Sequence, residues 1–255
     1  MKITVLQRPG QYTARDFNVN LENALSVLKG ELSASTRLGG FSKKGWARIE
    51  VDGQDYEVLL ELIARELGRA RSDIGEIEMH GVYQGIISSG ADGKLEVDIG
   101  LETPRPLSAT IQLSTLRAQL ADGKPLRGEE IVDSYCLFPG AKTSIRITRL
   151  EPEAGIVEGW FADPQTEEFS DWVATRLDRV QAFDCYRHEL ELAIQRAHLE
   201  RDVISVEPIT LTAQSVLCKL GTDAIGLMPQ LGSFLKGREL KPFIPRRILA
   251  RCRQW

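Results

Sequence analysis

Between Glu31 and Glu50 the chain carries four bases, Arg37, Lys43, Lys44 and Arg48, and no acid. Trp46 sits among them. Cationic side chains neutralise phosphates and an indole ring stacks on a base, so this stretch has the residue types of a single-strand nucleic-acid contact. The same residues also suit a solvated loop whose tryptophan is the first core residue of the next strand. A second cationic cluster is the tail. Residues 235–255 hold seven bases and one acid, net +6, and Arg246, Arg247, Arg251 and Arg253 are among them. A helix from Pro245 puts Ile248, Cys252 and Trp255 on one face. Arg246 and Arg253 then point the opposite way, with Arg247 and Arg251 at the flanks. Such a basic amphipathic helix suits an anionic partner. It equally suits the chain's own segment 161–234, which has six bases and twelve acids, net −6.

Catalytic chemistry finds less support. The three histidines are His80, His188 and His198, and none stands in an H-E-x-x-H pattern or a nucleophile elbow. No phosphate-cradling glycine loop of the G-x-x-x-x-G-K-[ST] or G-x-G-x-x-G type is present. Cys136, Cys185, Cys218 and Cys252 form no C-x-x-C pair, and Cys185 with His188 would need two more ligands from elsewhere to hold zinc. Buried thiols are the simpler reading. Adjacent acids such as Glu129–Glu130 and Glu167–Glu168 point about 100° apart on a helix and make poor dyads. The Lys219–Gly226 turn, with Thr222 and Asp223, could hold an anion on its backbone N–H groups, but a simple tight turn fits as well. No catalytic residue, metal ligand or cofactor is nominated. An enzyme of unspecified chemistry stays as a third reading.

The 255 residues are 42% hydrophobic and 27% charged, with a net charge of −4. That is a globular composition, and it excludes a uniformly basic nucleic-acid coat. No apolar run approaches the roughly 20 residues of a membrane span, and the opening MKITVLQRPG lacks the apolar core of a secretory signal. A cytoplasmic protein with no membrane partner is expected.

Hydrophobic periodicity places these residues. A strand at 2–7 precedes a helix near 17–31, where Leu21, Ala24, Leu25 and Leu28 make one stripe and Asn20 or Asp16 offers a cap. Residues 33–45 read as a loop because of Gly39, Gly40 and Gly45. A strand at 46–51 and a helix at 55–67 ended by Gly68 complete a β-α-β-α module over 1–78. Five short strands follow, at 82–88, 95–99, 107–113, 143–150 and 155–161, which suggest a small barrel over 79–162. Helical stretches at 114–120 and 128–135 interrupt it as an insertion. From 163 the pattern is helical, with Asp163 as cap and Pro164 at the first position. A strand at 180–184, a helix at 187–198 and strands at 203–207 and 215–220 then give a β-α-β-β module. It runs to residue 255 through a glycine-punctuated stretch and the basic tail. The fold class is α+β with three small modules.

The middle module resembles an OB barrel of the ribosomal S-one type, a fold that binds single-stranded RNA. The matching pieces are Gly81-Val-Tyr-Gln-Gly85-Ile-Ile, Leu95-Glu-Val-Asp-Ile-Gly100, Ser108 to Leu116, Pro139 to Ile147 and Gly155-Ile-Val-Glu-Gly-Trp160. Such barrels present aromatics on their second and third strands. Here that stretch, Asp92 to Val97, offers Lys94 and Glu96 instead, which leaves Tyr83 as the platform for a base. The chain as a whole is similar to an archaeal family known only as domain of unknown function 2110. The pieces are Ser114 to Lys124, Glu200 to Glu207 and, most distinctively, Cys218-Lys-Leu-Gly-Thr-Asp-Ala-Ile-Gly-Leu-Met-Pro229. That resemblance implies an archaeal cytosolic protein and no particular activity.

Charge, composition and resemblance together favour a non-catalytic RNA- or nucleic-acid-binding protein of archaeal translation or transcription. The residues expected to carry binding are Arg37, Lys43, Lys44, Trp46, Arg48, Tyr83, Lys94, Arg246, Arg247, Arg251 and Arg253. The alternative is a protein–protein adaptor for a ribosomal or polymerase partner, which the acidic 161–234 segment favours.

Overall fold

Thr13 is extended and its side chain accepts the amide of Asp16, so the first helix, α1, begins at Ala14 and runs to Lys29. The cap is therefore Thr13 and neither Asp16 nor Asn20. Phe17, Leu21 and Leu25 form its buried stripe. Together with β1 (Lys2–Thr4), β2 (Ala34–Phe41), β3 (Ala47–Gly53) and α2 (Tyr56–Leu67), it builds an antiparallel sheet of order β1-β3-β2 with both helices on one face. The computed structural model describes residues 1–90 and 93–252.

Strand β2 occupies the stretch whose glycines read as a loop. Leu38 pairs Ile49 and Phe41 pairs Ala47, so β2 spends one more residue than β3 between these pairs. That extra residue is a bulge, and Gly40 sits in it at φ 81°. The glycines mark a kinked strand, and the unit is β-α-β-β-α.

The middle strands are β4 (Val82–Ser89), β5 (Lys94–Asp98), β6 (Ala109–Gln112), β7 (Lys142–Glu151) and β8 (Ile156–Phe161). They close in the order β4-β5-β6-β8-β7, with β6 and β8 parallel. This is the OB strand order. Leu95, Val97, Ile111, Ile145, Ile147 and Phe161 fill the barrel and are fully buried. The insertion forms α3 (Leu113–Leu120) and α4 (Gly128–Tyr135). Leu116, Leu120, Ile131 and Tyr135 from these helices join the same core.

Next come α5 (Asp163–Thr175), β9 (Arg179–Phe183), α6 (Arg187–Arg196), β10 (Val203–Thr210), β11 (Ala213–Cys218), α7 (Ala224–Phe234), β12 (Glu239–Phe243) and α8 (Pro245–Arg251). Ala162 is the cap of α5, so Asp163 is its first residue. Residues 179–243 are β-α-β-β-α-β, and the antiparallel sheet order is β10-β11-β9-β12. That is the split β-α-β, ferredoxin-like arrangement. The structure adds α7 and β12 to the strands and helix read from periodicity. Gly226, Pro229 and Gly232 hide α7, yet Ala224, Leu227 and Leu231 give it a buried stripe. Helices α6 and α7 cover Val180, Ala182 and Val216 on one sheet face. The other face carries Arg179, Gln181, Phe183 and Ser215 and turns toward the barrel and α5. Phe169, Phe183, Phe243 and Ile248 belong to the same apolar cluster as the barrel interior.

Gly85 shows how tightly the barrel closes. A Cβ there would overlap Val97 Cγ1 and stand 3.0 Å from Ile99 Cγ2. Gly85→Ala should lower stability by about 1–3 kcal/mol, read from urea unfolding, because a packed core does not yield to an inserted methyl. An unchanged midpoint would mean that the strands around Gly85 are looser than described.

Candidate nucleic-acid interface

The β2–β3 hairpin tip, Ser42–Gly45, is held against the barrel. Lys44 Nζ lies 2.7 Å from Asp98 Oδ1 and donates to the Leu107 carbonyl at 2.9 Å. The Lys44 amide donates to Glu102 Oε1 at 2.8 Å. Asp98 is 6% exposed and also accepts the Gly100 amide at 2.8 Å. Burial pushes the Glu102 carboxyl up, but the Ser42 hydroxyl and the amides of Lys44 and Lys43 outweigh it and hold it below the usual carboxylate range. Lys44 is therefore consumed in docking the hairpin and is unavailable to a phosphate.

Its neighbours differ. Arg37, Lys43 and Arg48 are exposed. Arg37 pairs in register with Glu50, whose carboxylate accepts Lys2 at 2.9 Å. Lys94 projects from β5, two and four residues from Glu96 and Asp98, and makes a 2.8 Å ion pair with Glu96. The structure thus places Arg37, Lys43 and Arg48 on or beside the hairpin and Lys94 at the start of β5, the opposite end from the Asp98 that holds the hairpin tip.

The two expected stacking rings are not presented. Trp46 is 1% exposed, and the Arg8 guanidinium covers it at 5.0 Å. It is the first core residue beside β3. Tyr83 is buried, its hydroxyl accepts the Glu78 amide at 2.8 Å, and Arg71 lies over its ring at 5.4 Å. Trp160 is not among the expected residues. It projects outward from β8 at 44% exposure, on the same side as Glu158 and opposite Arg146 on β7. The alternation of Val157, Gly159 and Phe161 inward with Glu158 and Trp160 outward is the signal for it.

The tail forms a separate group. α8 buries Pro245 and Ile248, and Cys252 is buried just beyond it. Arg246 reaches Asp223 Oδ1 at 3.1 Å. Arg247 and Arg251 are exposed and flank a shallow cleft with Lys241. Lys124 Nζ approaches the Arg251 carbonyl at 3.3 Å and adds its charge. Arg253 and Trp255 lie outside the described residues.

The remaining candidates are accounted for within the fold. The Asp178 carboxylate accepts the Ala224 amide at 3.2 Å, so the start of α7 after the glycine–threonine–aspartate turn already holds a protein anion. Cys185 and His188 share no metal set, and among the described residues no group of three or more His, Cys, Asp or Glu could hold an ion. His188 instead stacks on Tyr186 at 5.7 Å.

Fold and surface together define a mixed α+β protein built around an OB-type barrel, with a basic hairpin and a basic tail. Residues 177–241, which span the ferredoxin-like sheet, match the model of the DUF2110 C-terminal domain. No curated protein matches the chain. Among solved structures, a protein of vaccinia virus (Wisconsin strain) is 14% identical, with 34% of this chain and 89% of that one covered and a TM-score of 0.23. The a/eIF2alpha–aDim2p–rRNA complex from Pyrococcus horikoshii OT3 is 13% identical over 48% of this chain and 64% of that one, with a TM-score of 0.27. The intact alpha subunit of aIF2 from Pyrococcus abyssi is 10% identical over 65% and 97%, also at 0.27. With likeness this distant, the barrel assignment rests on the strand order above.

Lys44→Met should destabilise the protein by about 3–5 kcal/mol, because it strands a buried carboxylate, and adding Asp98→Leu should restore most of the loss. Urea unfolding of both variants checks this, and purely additive losses would contradict the pairing. The Cys185 and Cys218 thiols are pushed up to about 12, chiefly by burial. At pH 8 both should resist a thiol reagent in the native protein and react once it is unfolded.

Proposed function

We propose that this chain is a non-catalytic RNA-binding protein serving archaeal translation or transcription. One observation carries the reading. Lys44 fastens a basic hairpin beside β5, the second strand of a barrel type whose second and third strands take oligonucleotides. Arg37, Lys43 and Arg48 are left exposed there, with Lys94 on the strand itself. Arg247 and Arg251 on α8 offer a second phosphate contact, and among the described residues neither makes an ion pair within 4 Å. Trp160 replaces Trp46 and Tyr83 as the ring that can meet a base. Phosphate contacts of this kind position a strand and leave sequence readout weak.

A second reading, a protein–protein adaptor of a ribosomal or polymerase assembly, is favoured by the cations that already meet the chain's own carboxylates. These are Lys94 with Glu96 and Arg246 with Asp223. Each pair lowers the positive potential that a polyanion would feel.

Filter binding of single-stranded RNA across a salt series decides between them. Affinity should fall steeply with salt. Lys43→Ala, Arg247→Ala and Arg251→Ala should each flatten the log–log slope by about 0.7. Trp160→Ala should weaken binding by about 1–3 kcal/mol. Flat, millimolar affinity would reject the RNA reading, and a partner retained after nuclease treatment would then select the adaptor.

A further inference from the structure

The helix-free face of the C-terminal sheet meets the shared core at Phe183 and Phe243 but stands off the barrel where its polar residues lie. A cleft of about 300 Å³ separates it from β4, β7 and α5. Among the described residues, eight buried side-chain polar atoms lack a hydrogen-bond partner, and four belong to residues lining this one cleft. They are Gln84 Oε1, Thr143 Oγ1, Gln181 Oε1 and Ser215 Oγ. Thr143, Gln181 and Ser215 are 1%, 3% and 1% exposed. A fifth such atom, Arg179 Nε, lies two residues before Gln181 on the same side of β9. Buried polar groups are nearly always paired, so a cluster drawn from strands of two different sheets points to a partner outside the chain.

The chemistry of the lining narrows that partner. The charged groups are already engaged. Arg179 meets Glu207 at 2.6 Å, and Gln165 Nε2 donates to Glu168 Oε2 at 2.8 Å. Lys142 Nζ approaches the Arg65 and Glu66 carbonyls at 3.4 and 3.3 Å. The lining itself holds Lys142, Glu168 and Glu207, and Arg179 beside it brings the balance to two cations and two carboxylates, so nothing selects an anion. Among the lining residues what remains unpaired is neutral, namely two amide oxygens that accept and two hydroxyls that donate or accept, and Arg179 Nε beside them is a further donor. Phe169 and Trp172 supply aromatic walls. We infer that the cleft binds a neutral planar heterocycle rich in N–H and carbonyl groups, of nucleobase size, either as a free nucleoside or as an unpaired base of an RNA strand. This does not require the basic hairpin or tail, since base-edge hydrogen bonds carry no counterion term.

Calorimetric titration of the intact protein with adenosine, guanosine, cytidine and uridine, and with the four homopolymeric tetranucleotides, tests it at 0.5 M salt (about a 4–5 Å Debye length), where phosphate contacts are suppressed. At least one ligand should saturate. Its affinity should fall at least tenfold in Gln181→Leu and in Ser215→Ala and stay unchanged in Glu22→Gln, a surface control on α1. Saturation by a nucleoside identifies the free molecule as the source, and saturation by tetranucleotides alone identifies a strand. Both replacements remove an unpaired polar atom, so their melting temperatures should hold or rise. The inference is overturned if no ligand saturates, if Gln181→Leu binds as well as the parent, or if Ser215→Ala melts several degrees lower. In those cases the groups serve the fold or hold water only. Loss of the salt-dependent RNA binding with nucleoside binding intact would reject the phosphate-contact reading alone.

Discussion

The Lys44–Asp98 pair decides where the basic hairpin lies. Neither group is comfortable alone. Asp98 is almost wholly covered, and Lys44 keeps 15% of its side-chain surface. Two desolvated charges meet at hydrogen-bond distance, and each has a second partner, the Leu107 carbonyl and the Gly100 amide. A buried pair of this kind adds little net stability over a well-packed apolar pair, but it is selective about geometry. A shift of the hairpin by one residue would bury an unpaired carboxylate. The exposed orientation of Lys43 and the burial of Trp46 on either side follow from that registration. A basic stretch that reads as one cluster in sequence is divided by it into one anchoring cation and several exposed ones.

The tail obeys a related balance of charge. The segment 161–234 and the tail have formal charges of −6 and +6, which on their own suggest complete mutual neutralisation. The contacts made are fewer. Arg238 pairs with Glu189 and Arg246 with Asp223, whereas Lys241 turns to Glu239 within the tail itself. α8 is held mainly by its apolar side, Pro245 and Ile248, against the shared core. Apolar burial therefore fixes the helix, and its remaining arginines are left where geometry puts them.

Periodicity carries the fold as far as local pattern can. The barrel strands β7 and β8 alternate cleanly, and Leu59, Ile63 and Leu67 recur at helical spacing before Gly68. Three elements escape it for three reasons. β2 contains Gly39 and Gly40, which suit a bulge as well as a loop, and only its pairing with β3 distinguishes the two. α7 contains Gly226, Pro229 and Gly232, poor helix formers overridden by tertiary burial of Leu227 and Leu231. β12 contains Pro242, which fits because the strand lies at the sheet edge beside β9. The candidate site is less legible. Residue type flags a lysine or a tryptophan, but whether it faces solvent depends on Asp98, Glu102 and Arg8, all distant in sequence from the hairpin tip or outside it. Trp160 is readable from alternation alone, but it lies on the last strand, beside the third, whereas this barrel type places its rings on the second and third strands themselves.

The two faces of the C-terminal sheet explain why the central and C-terminal units share a core. On the side of α6 and α7, Val180, Ala182 and Val216 are sealed by leucines, a complete apolar layer. On the opposite side, the alternating positions are Arg179, Gln181 and Ser215, a set no apolar layer could cover without stranding polar atoms. The barrel and α5 cover this face only in part. They make apolar contact at Phe183 and Phe243 and stand off where the polar residues lie. A sheet evolved only to be buried would carry apolar residues on both faces. Polar residues kept at inward positions, beside a gap large enough for a small molecule, reverse that economy. The junction between the barrel and the sheet is thus both a hydrophobic seam and the place where the fold leaves hydrogen bonds unmade.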